Sequence, residues 1–368
     1  MQFLATCTPG VERLVRSELE RQNIQITYGQ DRLVGFSGDM MTMTTANIWS
    51  RTANRIYIEL DKIVLTSFDG LFACIESIDW SQWIPGNTPI NISATSIRSA
   101  LSNTPTIQSV TKKAIIRRLS NGDDEWHENM LHQPIEIFIL VVADEVHILI
   151  NTSGHALHKR GYRTLAGEAP IKESLAAAMI LLSGWKYIKP FYDLMCGSGT
   201  IPIEAAMIAR NIAPGLQRDF DFLHFLWYDT ALHTEALQEA RKKVFKQSYQ
   251  IFGSDIEPEM IAISEENARR AGVGDTITFT ARPLSDLECI DGGHLVTNPP
   301  YGKRLESDDL DLLYRDLEDT FLTYHLTGGV ITTYDDFPHH ASLWSKTNLM
   351  NGGDKCQFWR KILQKEES

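Results

Sequence analysis

The chain has 368 residues, 43% hydrophobic and 22% charged, the balance of an ordinary folded protein with room for two or three domains. Its five cysteines, Cys7, Cys74, Cys196, Cys289 and Cys356, are scattered, odd in number and never spaced as CxxC. That excludes a disulfide framework and a cysteine zinc site and fits reduced thiols in a cytoplasm. A formal net charge of −12 argues mildly against a nucleic-acid partner, so local windows of charge carry more information than the total.

In chain order, the opening "MQFLATC" reads as a strand, with no basic leader or cleavage site of a signal peptide. "PGVERLVRSELERQ" follows as an amphipathic helix, with Leu14, Val15 and Leu19 on its apolar face. "QITYGQDRLVGFSG" reads as a hairpin, "MMTMTTANIWSRT" as a helix and "NRIYIELDKIVL" as a long alternating strand, a small α+β unit over residues 1–66. A second unit, 67–154, contains the helix "FDGLFACIESIDW", the strand "PINISATS", the helix "TIQSVTKKAIIRRLS" and two strands joined by a tight turn at Ala143-Asp144-Glu145. The basic, glycine-containing stretch "HALHKRGYRTLAGEAP" has no periodicity and holds the domain boundary, with a linker at 155–168. The window "SLAAAMILLSGW" is too short, and too interrupted by Gly184, to span a bilayer.

From residue 169 to 368 long helices alternate with short apolar strands: "PFYDLMC", "QIFGSDI", "TITFTAR", "GHLVTNPP" and "GGVITTY". That grammar predicts a mostly parallel sheet with helices on both faces. "NLMNGGDKCQFWRKIL" adds a hairpin at the edge, turning at Asn-Gly-Gly. The segment "GLQRDFDFLHFLWYDTALHTEALQEARKKVF" is longer than a plain crossover helix, and its aromatics read only as core.

The first strand of this series runs into Gly197-Ser198-Gly199 and then a helix that Thr200 could cap. Glycines let the backbone approach a ligand closely, and the helix points its amides into the crevice. A dinucleotide fingerprint wants a third glycine where Pro202 stands, and no P-loop lysine follows. Asp193, on the strand itself, suits a ligand bearing a positive charge such as an amino-acid ammonium. Asp255, ending the next strand, is placed to accept both ribose hydroxyls of a nucleoside, or to cap the helix behind it. Asp286, past the third strand, can take an adenine amino group or cap a turn. A nucleoside carrying an amino acid fits this set, and S-adenosylmethionine is such a ligand.

The fourth strand ends in Asn298-Pro299-Pro300-Tyr301. An exocyclic base amine is a poor nucleophile, because its lone pair is delocalised into the ring. The Asn298 side-chain oxygen and the Pro299 carbonyl can hold both amino hydrogens and turn the lone pair outward, the prolines stiffen the corner, and Tyr301 offers a stacking face. Attack at a ring carbon through a cysteine would need a thiol at this corner, and none stands there.

The stretches "DLMCGSGTIPIEAA", "GSDIEPEMIAISEENARRAGV" and "TNPPYGKRL" resemble the cofactor and catalytic motifs of class I S-adenosylmethionine-dependent methyltransferases. Together with "FLATCTPGVERLVRSEL" and "KRGYR…GEAPIKESLAAA", they make the whole chain similar to bacterial THUMP-domain RNA methyltransferases that form N2-methylguanine in large-subunit (23S) ribosomal RNA. Such proteins are often labelled N6-adenine-specific DNA methylases for the shared Asn-Pro-Pro-Tyr. The resemblance implies a ferredoxin-like domain and a THUMP domain ahead of a Rossmann-like domain whose seven-stranded sheet ends in an antiparallel hairpin. It also implies a cofactor site lined by Asp193, Cys196, Gly197, Gly199, Asp255, Asp286 and Glu173, with the amine site at Asn298, Pro299, Pro300 and Tyr301.

The RNA expectation has a footprint in charge. Residues 97–119 carry Arg98, Lys112, Lys113, Arg117 and Arg118 with no acid; the linker adds Lys159, Arg160 and Arg163, and Lys303 and Arg304 follow the catalytic corner. His155 and His158, without a third ligand nearby, read as linker polar residues, and no metal is expected. Alternatives to guanine in ribosomal RNA are guanine in transfer RNA, adenine N6 in DNA or RNA, and an RNA-binding assembly factor whose methyltransferase fold is vestigial.

Overall fold

The computed structural model describes residues 1–120, 126–163, 171–286, 291–300 and 307–362. Their strands form two seven-stranded sheets, one on each side of the linker.

The first sheet contains β1 (Gln2–Cys7), β2 (Gln25–Gln30), β3 (Leu33–Ser37), β4 (Ala53–Val64), β5 (Ile90–Ile97), β6 (Ile135–Val142) and β7 (Glu145–Asn151). Helices α1 (Glu12–Arg21), α2 (Met40–Trp49), α3 (Phe68–Ser77) and α4 (Thr104–Leu119) connect them. The strand order is β2-β3-β1-β4-β7-β6-β5. The regions read as 1–66 and 67–154 therefore meet inside one sheet. β4 joins them: it pairs antiparallel with β1 through residues 53–58 and with β7 through residues 57–64.

Alternation assigns the two faces of this sheet. Phe3, Ala5, Ile56, Ile58, Ile137, Ile139, Ile148 and Ile150 are buried in the main core together with residues of α1 to α4. Leu4, Leu33, Tyr57, Leu140 and Leu149 form a separate small cluster with no helix residue in it. Ala143 and Asp144, between β6 and β7, have φ of 50° and 66°, the backbone of a two-residue hairpin turn whose twist matches the strands.

The second sheet contains β8 (Phe191–Asp193), β9 (Ile251–Asp255), β10 (Ile277–Ala281), β11 (His294–Thr297), β12 (Thr327–Thr332), β13 (Trp344–Asn351) and β14 (Asp354–Lys361). Its helices are α5 (Glu173–Ser183), α6 (Thr200–Ala209), α7 (Thr230–Lys242), α8 (Pro258–Arg270) and α9 (Ser307–Thr323). The order is β10-β9-β8-β11-β12-β14-β13, with the first five strands parallel. The hairpin β13–β14 closes the edge, β14 pairing antiparallel with β12. This is the Rossmann-like methyltransferase fold, and the expected edge hairpin is present.

The long segment after α6 joins the two halves. Trp227 donates its indole N–H to the Trp83 carbonyl (3.0 Å), and the Tyr228 hydroxyl bonds Thr44 (2.7 Å). Arg218 donates to the carbonyls of Ser153, His155 and Ala156. Gly215 donates to the Ile48 carbonyl, and a Cβ there would stand 2.6 Å from the Ile48 Cα, so only glycine lets the chains approach this closely. The aromatics of this segment pack the seam between modules.

Arg160 fixes the linker to both halves. Its side chain is 2% exposed. It donates to the Arg51 carbonyl of the first module (2.6 Å), to the Leu157 carbonyl of the linker (2.6 Å) and to Glu204 on α6 (3.3 Å). Tyr162 also donates to Glu204 (3.2 Å). The sequence reading set Arg160 among RNA-facing cations; its burial in an ion pair removes it from that set. Arg160→Met is expected to destabilise the protein by about 3–5 kcal/mol, since it leaves the Glu204 carboxylate buried without its partner. Urea unfolding checks this, and restoring most of the loss with Glu204→Gln in the same chain identifies the orphaned charge as the cause.

Candidate active site

β8, β9 and β11 run parallel, so their C-terminal ends open on one edge of the sheet. β8 lies between β9 and β11, where the strand order reverses, the place at which open α/β sheets hold ligands.

Gly197 and Gly199 have φ of 51° and 81°. A Cβ on Gly199 would sit 3.0 Å from the Ser264 Cβ, so this glycine lets the turn lie flat on α8. Ser264 donates to the Gly197 carbonyl (2.6 Å), and Asn267, one turn on, donates to the Ser198 carbonyl (3.0 Å). The sequence reading quoted this helix as a motif but named neither residue. Their signal is two polar side chains three apart on the face of α8 that is buried.

Asp255 receives the Gly197 N–H on one oxygen (2.8 Å) and the Glu257 N–H on the other (3.1 Å). It is half-buried, and each oxygen keeps a further acceptor site. Asp255 thus orients the turn and still faces the crevice.

Asp193 is 1% exposed. Burial pushes its carboxyl from 3.8 up to about 7, with a smaller push from Asp255, against the Thr297 hydroxyl and the Met195 N–H, which favour the ionised form. Thr297 donates across the switch point to Asp193 (2.7 Å), tying the end of β11 to the end of β8. Thr297 was not singled out from the sequence, where a threonine ahead of Asn298 looks like strand filler.

Asn298 follows at once. Its side-chain oxygen is buried and accepts no hydrogen bond among the described residues. A buried acceptor without a donor costs about 1–3 kcal/mol, so its retention marks a place made for an incoming donor. Pro299 is buried beside it and Pro300 half-buried. Tyr301, Lys303 and Arg304 lie outside the described residues.

The remaining expected cofactor residues divide. Cys196 is buried, which drives its thiol well above the usual range, and it sits 3.9 Å from the Ser264 hydroxyl, so it is a neutral packing group. Asp286 is exposed in a short turn and accepts from Ser285 (3.0 Å). Glu173 is buried and pairs with Arg163 (3.1 Å), which also donates to the Ile171 carbonyl and to Thr200 at the start of α6. Burial raises the Glu173 carboxyl while Arg163 opposes it. Arg163, expected to meet RNA, is instead a brace behind the glycine turn.

On α4, Lys112 pairs with Glu128 (2.9 Å) and Arg117 with Glu76 (3.0 Å). Lys113, Arg118, Arg98 and Lys159 are exposed and make no salt bridge among the described residues.

With this geometry stand the sequence comparisons. Residues 160–353 match the model of the RMKL-like methyltransferase domain, and residues 2–57 that of the RlmL ferredoxin-like domain. The chain belongs to the RMKL-like methyltransferase family. It is 36% identical to "Putative RNA methyltransferase YpsC" of Bacillus subtilis (strain 168), over 98% of this chain and 96% of that one. The crystal structure of a possible methylase from Clostridium difficile 630 superposes with a TM-score of 0.94 at 35% identity, covering 100% of this chain and 99% of that one. SMU.472, a methyltransferase solved in complex with SAH, superposes at 0.90 and 35% identity with the same coverage.

In this member of the RMKL-like family, Asp193 gives a pH signature. Between 3.8 and about 7 the folded protein holds a proton that the unfolded chain has released. The contribution to stability is therefore fullest below the lower value and is lost as pH rises through about 7. Asp193→Asn, which keeps the shape without the charge, is expected to be more stable than the parent above neutrality, by on the order of a few kcal/mol. The gap closes in mild acid. Urea midpoints across that range check it, and a gap independent of pH refutes the assignment.

Proposed function

We propose that the protein is an S-adenosylmethionine-dependent RNA methyltransferase acting on an exocyclic base amine, guanine N2 of 23S ribosomal RNA. The observation that carries the reading is the buried Asn298 oxygen, unpartnered among the described residues, at the strand end beside the glycine turn.

The residues present fit the cofactor. The glycine turn leaves close approach to backbone, Asp255 retains acceptor sites for ribose hydroxyls, and Asp193 is a buried carboxyl, pushed up to about 7, whose ionised form an ammonium would favour. When bound, S-adenosylmethionine supplies a methyl group on a positively charged sulfur. The chain supplies the rest. Asn298 Oδ1 accepts one amino hydrogen and the Pro299 carbonyl the other, which draws the nitrogen lone pair out of the ring and aims it across the crevice. The proline pair keeps both acceptors in place, so the corner needs little rearrangement. The neutral Cys196 thiol does not serve as a nucleophile, in keeping with amine rather than ring-carbon chemistry.

Guanine in ribosomal RNA is favoured by the match of residues 160–353 and 2–57 to the RMKL-like methyltransferase and RlmL ferredoxin-like domains, and RNA as substrate by the name of the Bacillus relative. Labelled S-adenosylmethionine with total RNA, followed by nucleoside analysis, is expected to give N2-methylguanosine. N6-methyladenine, or label confined to transfer RNA, replaces the substrate and keeps the chemistry. No transfer to any nucleic acid, with RNA still bound, leaves a vestigial fold.

Asn298→Ala is expected to lower methyl transfer by about 100-fold or more, the loss typical of removing one positioned polar group from a transition state. S-adenosylhomocysteine affinity should stay within about twofold, because Asn298 acts on the amine side. Asp193→Asn should show the reverse pattern and lose cofactor affinity, although it gains stability.

A further inference from the structure

A cleft of about 730 Å³ opens between the face of the first sheet that carries no helix residue in its cluster and the linker. Its floor includes Tyr57 of β4 and Phe138 of β6, rings 5.6 Å apart. Around this floor, among the described residues, stand Arg32, Arg55, Arg98, Lys159 and Lys172, against one acid, Asp31. That excess lies on a chain of net charge −12. Arg55 is partly engaged, donating to the Gly154 carbonyl (3.0 Å), and Arg32 stands 3.8 Å from Asp31. Arg98, Lys159 and Lys172 have no salt bridge among the described residues. The other acids of this sheet face are Glu59 and Glu145, occupied by Tyr28, His147 and Lys62, and Glu136, which accepts from the Asn91 amide (2.7 Å).

Resting on the RNA reading above, we infer that this cleft holds an unpaired stretch of the RNA substrate, its phosphates on Arg98, Lys159 and Lys172 and its bases over the half-buried Phe138 ring, which Tyr57 backs from the core. Cations around aromatic rings are the chemistry of single-strand binding. The volume falls in the range of about 300–1,000 Å³ that encloses small ligands, which is room for single bases. The cleft also leads to the active site. Lys172 precedes Glu173, which pairs with Arg163, which donates to Thr200 beside the glycine turn. The local field is positive: burial first, then Lys172, Arg160, Arg163 and Lys159, hold the His158 imidazole down to about 4. The α4 face is the weaker candidate, because Lys112 and Arg117 are already paired there.

The test uses the full chain and a short fluorescein-labelled oligouridylate, titrated by anisotropy over a range of salt. Arg98→Glu and Lys159→Glu are each expected to weaken binding by about tenfold or more. Each should also reduce the slope of log affinity against log salt by about 0.7 or more. Lys246→Glu, an exposed charge beyond α7, should leave both unchanged. S-adenosylhomocysteine affinity, unchanged in all three, certifies the fold. Parent-like oligouridylate binding by both cleft variants overturns the inference, as does a parent protein that prefers a blunt RNA duplex. Methylation of RNA with unaltered oligouridylate binding overturns the cleft alone. Cleft-dependent binding with no methylated nucleoside from the parent overturns the enzymatic reading alone.

Discussion

One guanidinium holds the molecule's two halves in register. Arg160 is out of water, and its donors are taken by a carbonyl from the first module, a carbonyl from the linker and a carboxylate on α6. A lysine has the charge but not the planar fork that reaches three partners in different directions. Such a pair adds little net stability against apolar residues of the same volume. Its consequence is positional. Arg51, whose carbonyl Arg160 holds, sends its own guanidinium to the Ile212 carbonyl (2.7 Å), so the seam is crossed in both directions. The cleft over the first sheet and the crevice of the second are thereby kept at a fixed separation.

Charge is segregated along this frame. Acids, Asp193 and Asp255, gather at the crevice, and cations, three of them without a salt bridge among the described residues, gather at the cleft. In an acidic chain this arrangement keeps non-specific attraction for polyanions low while leaving one surface able to hold them. Between the two lies Arg163, which neutralises Glu173 and braces Thr200, so the transition from positive to negative surface runs through buried pairs rather than open water.

The local architecture was legible because it is written in local chemistry. Strand alternation in β4 and β6, the Ala143-Asp144 turn and the Asn-Gly-Gly hairpin all follow from side-chain period and backbone freedom within a few residues. The positions of the glycine turn, Asp255 and Asn298 at strand ends were legible for the same reason, since each follows a short apolar strand or closes one. What escaped depends on partners far along the chain. Arg160 and Arg163 sit in a stretch that reads as a basic linker, and the carboxylate that buries Arg160 is 44 residues away. The aromatics of the segment after α6 read as core, and they are; but the core belongs to the seam with the first module, which periodicity cannot reveal. Thr297 and Ser264 escaped for a related reason: their role is to hold backbone and carboxylate groups of other elements.

Thr297 shows how the cofactor and amine sides of the crevice form one device. Its hydroxyl proton is committed to Asp193, and the next residue is Asn298. An ionised Asp193 accepts that hydrogen bond more strongly than a protonated one, since bonds to a charged acceptor are about twice as strong as neutral ones. Whatever favours the ionised carboxylate, a bound cation above all, therefore tightens the end of β11 and steadies the backbone that carries the amine acceptor. The Asn298 oxygen, unpartnered among the described residues, and the uncomfortable Asp193 carboxyl are two costs on adjacent strands, joined by one hydroxyl, and under the proposed reading ligands in the same crevice would relieve both. A fold that only needed stability would have apolar residues at both positions.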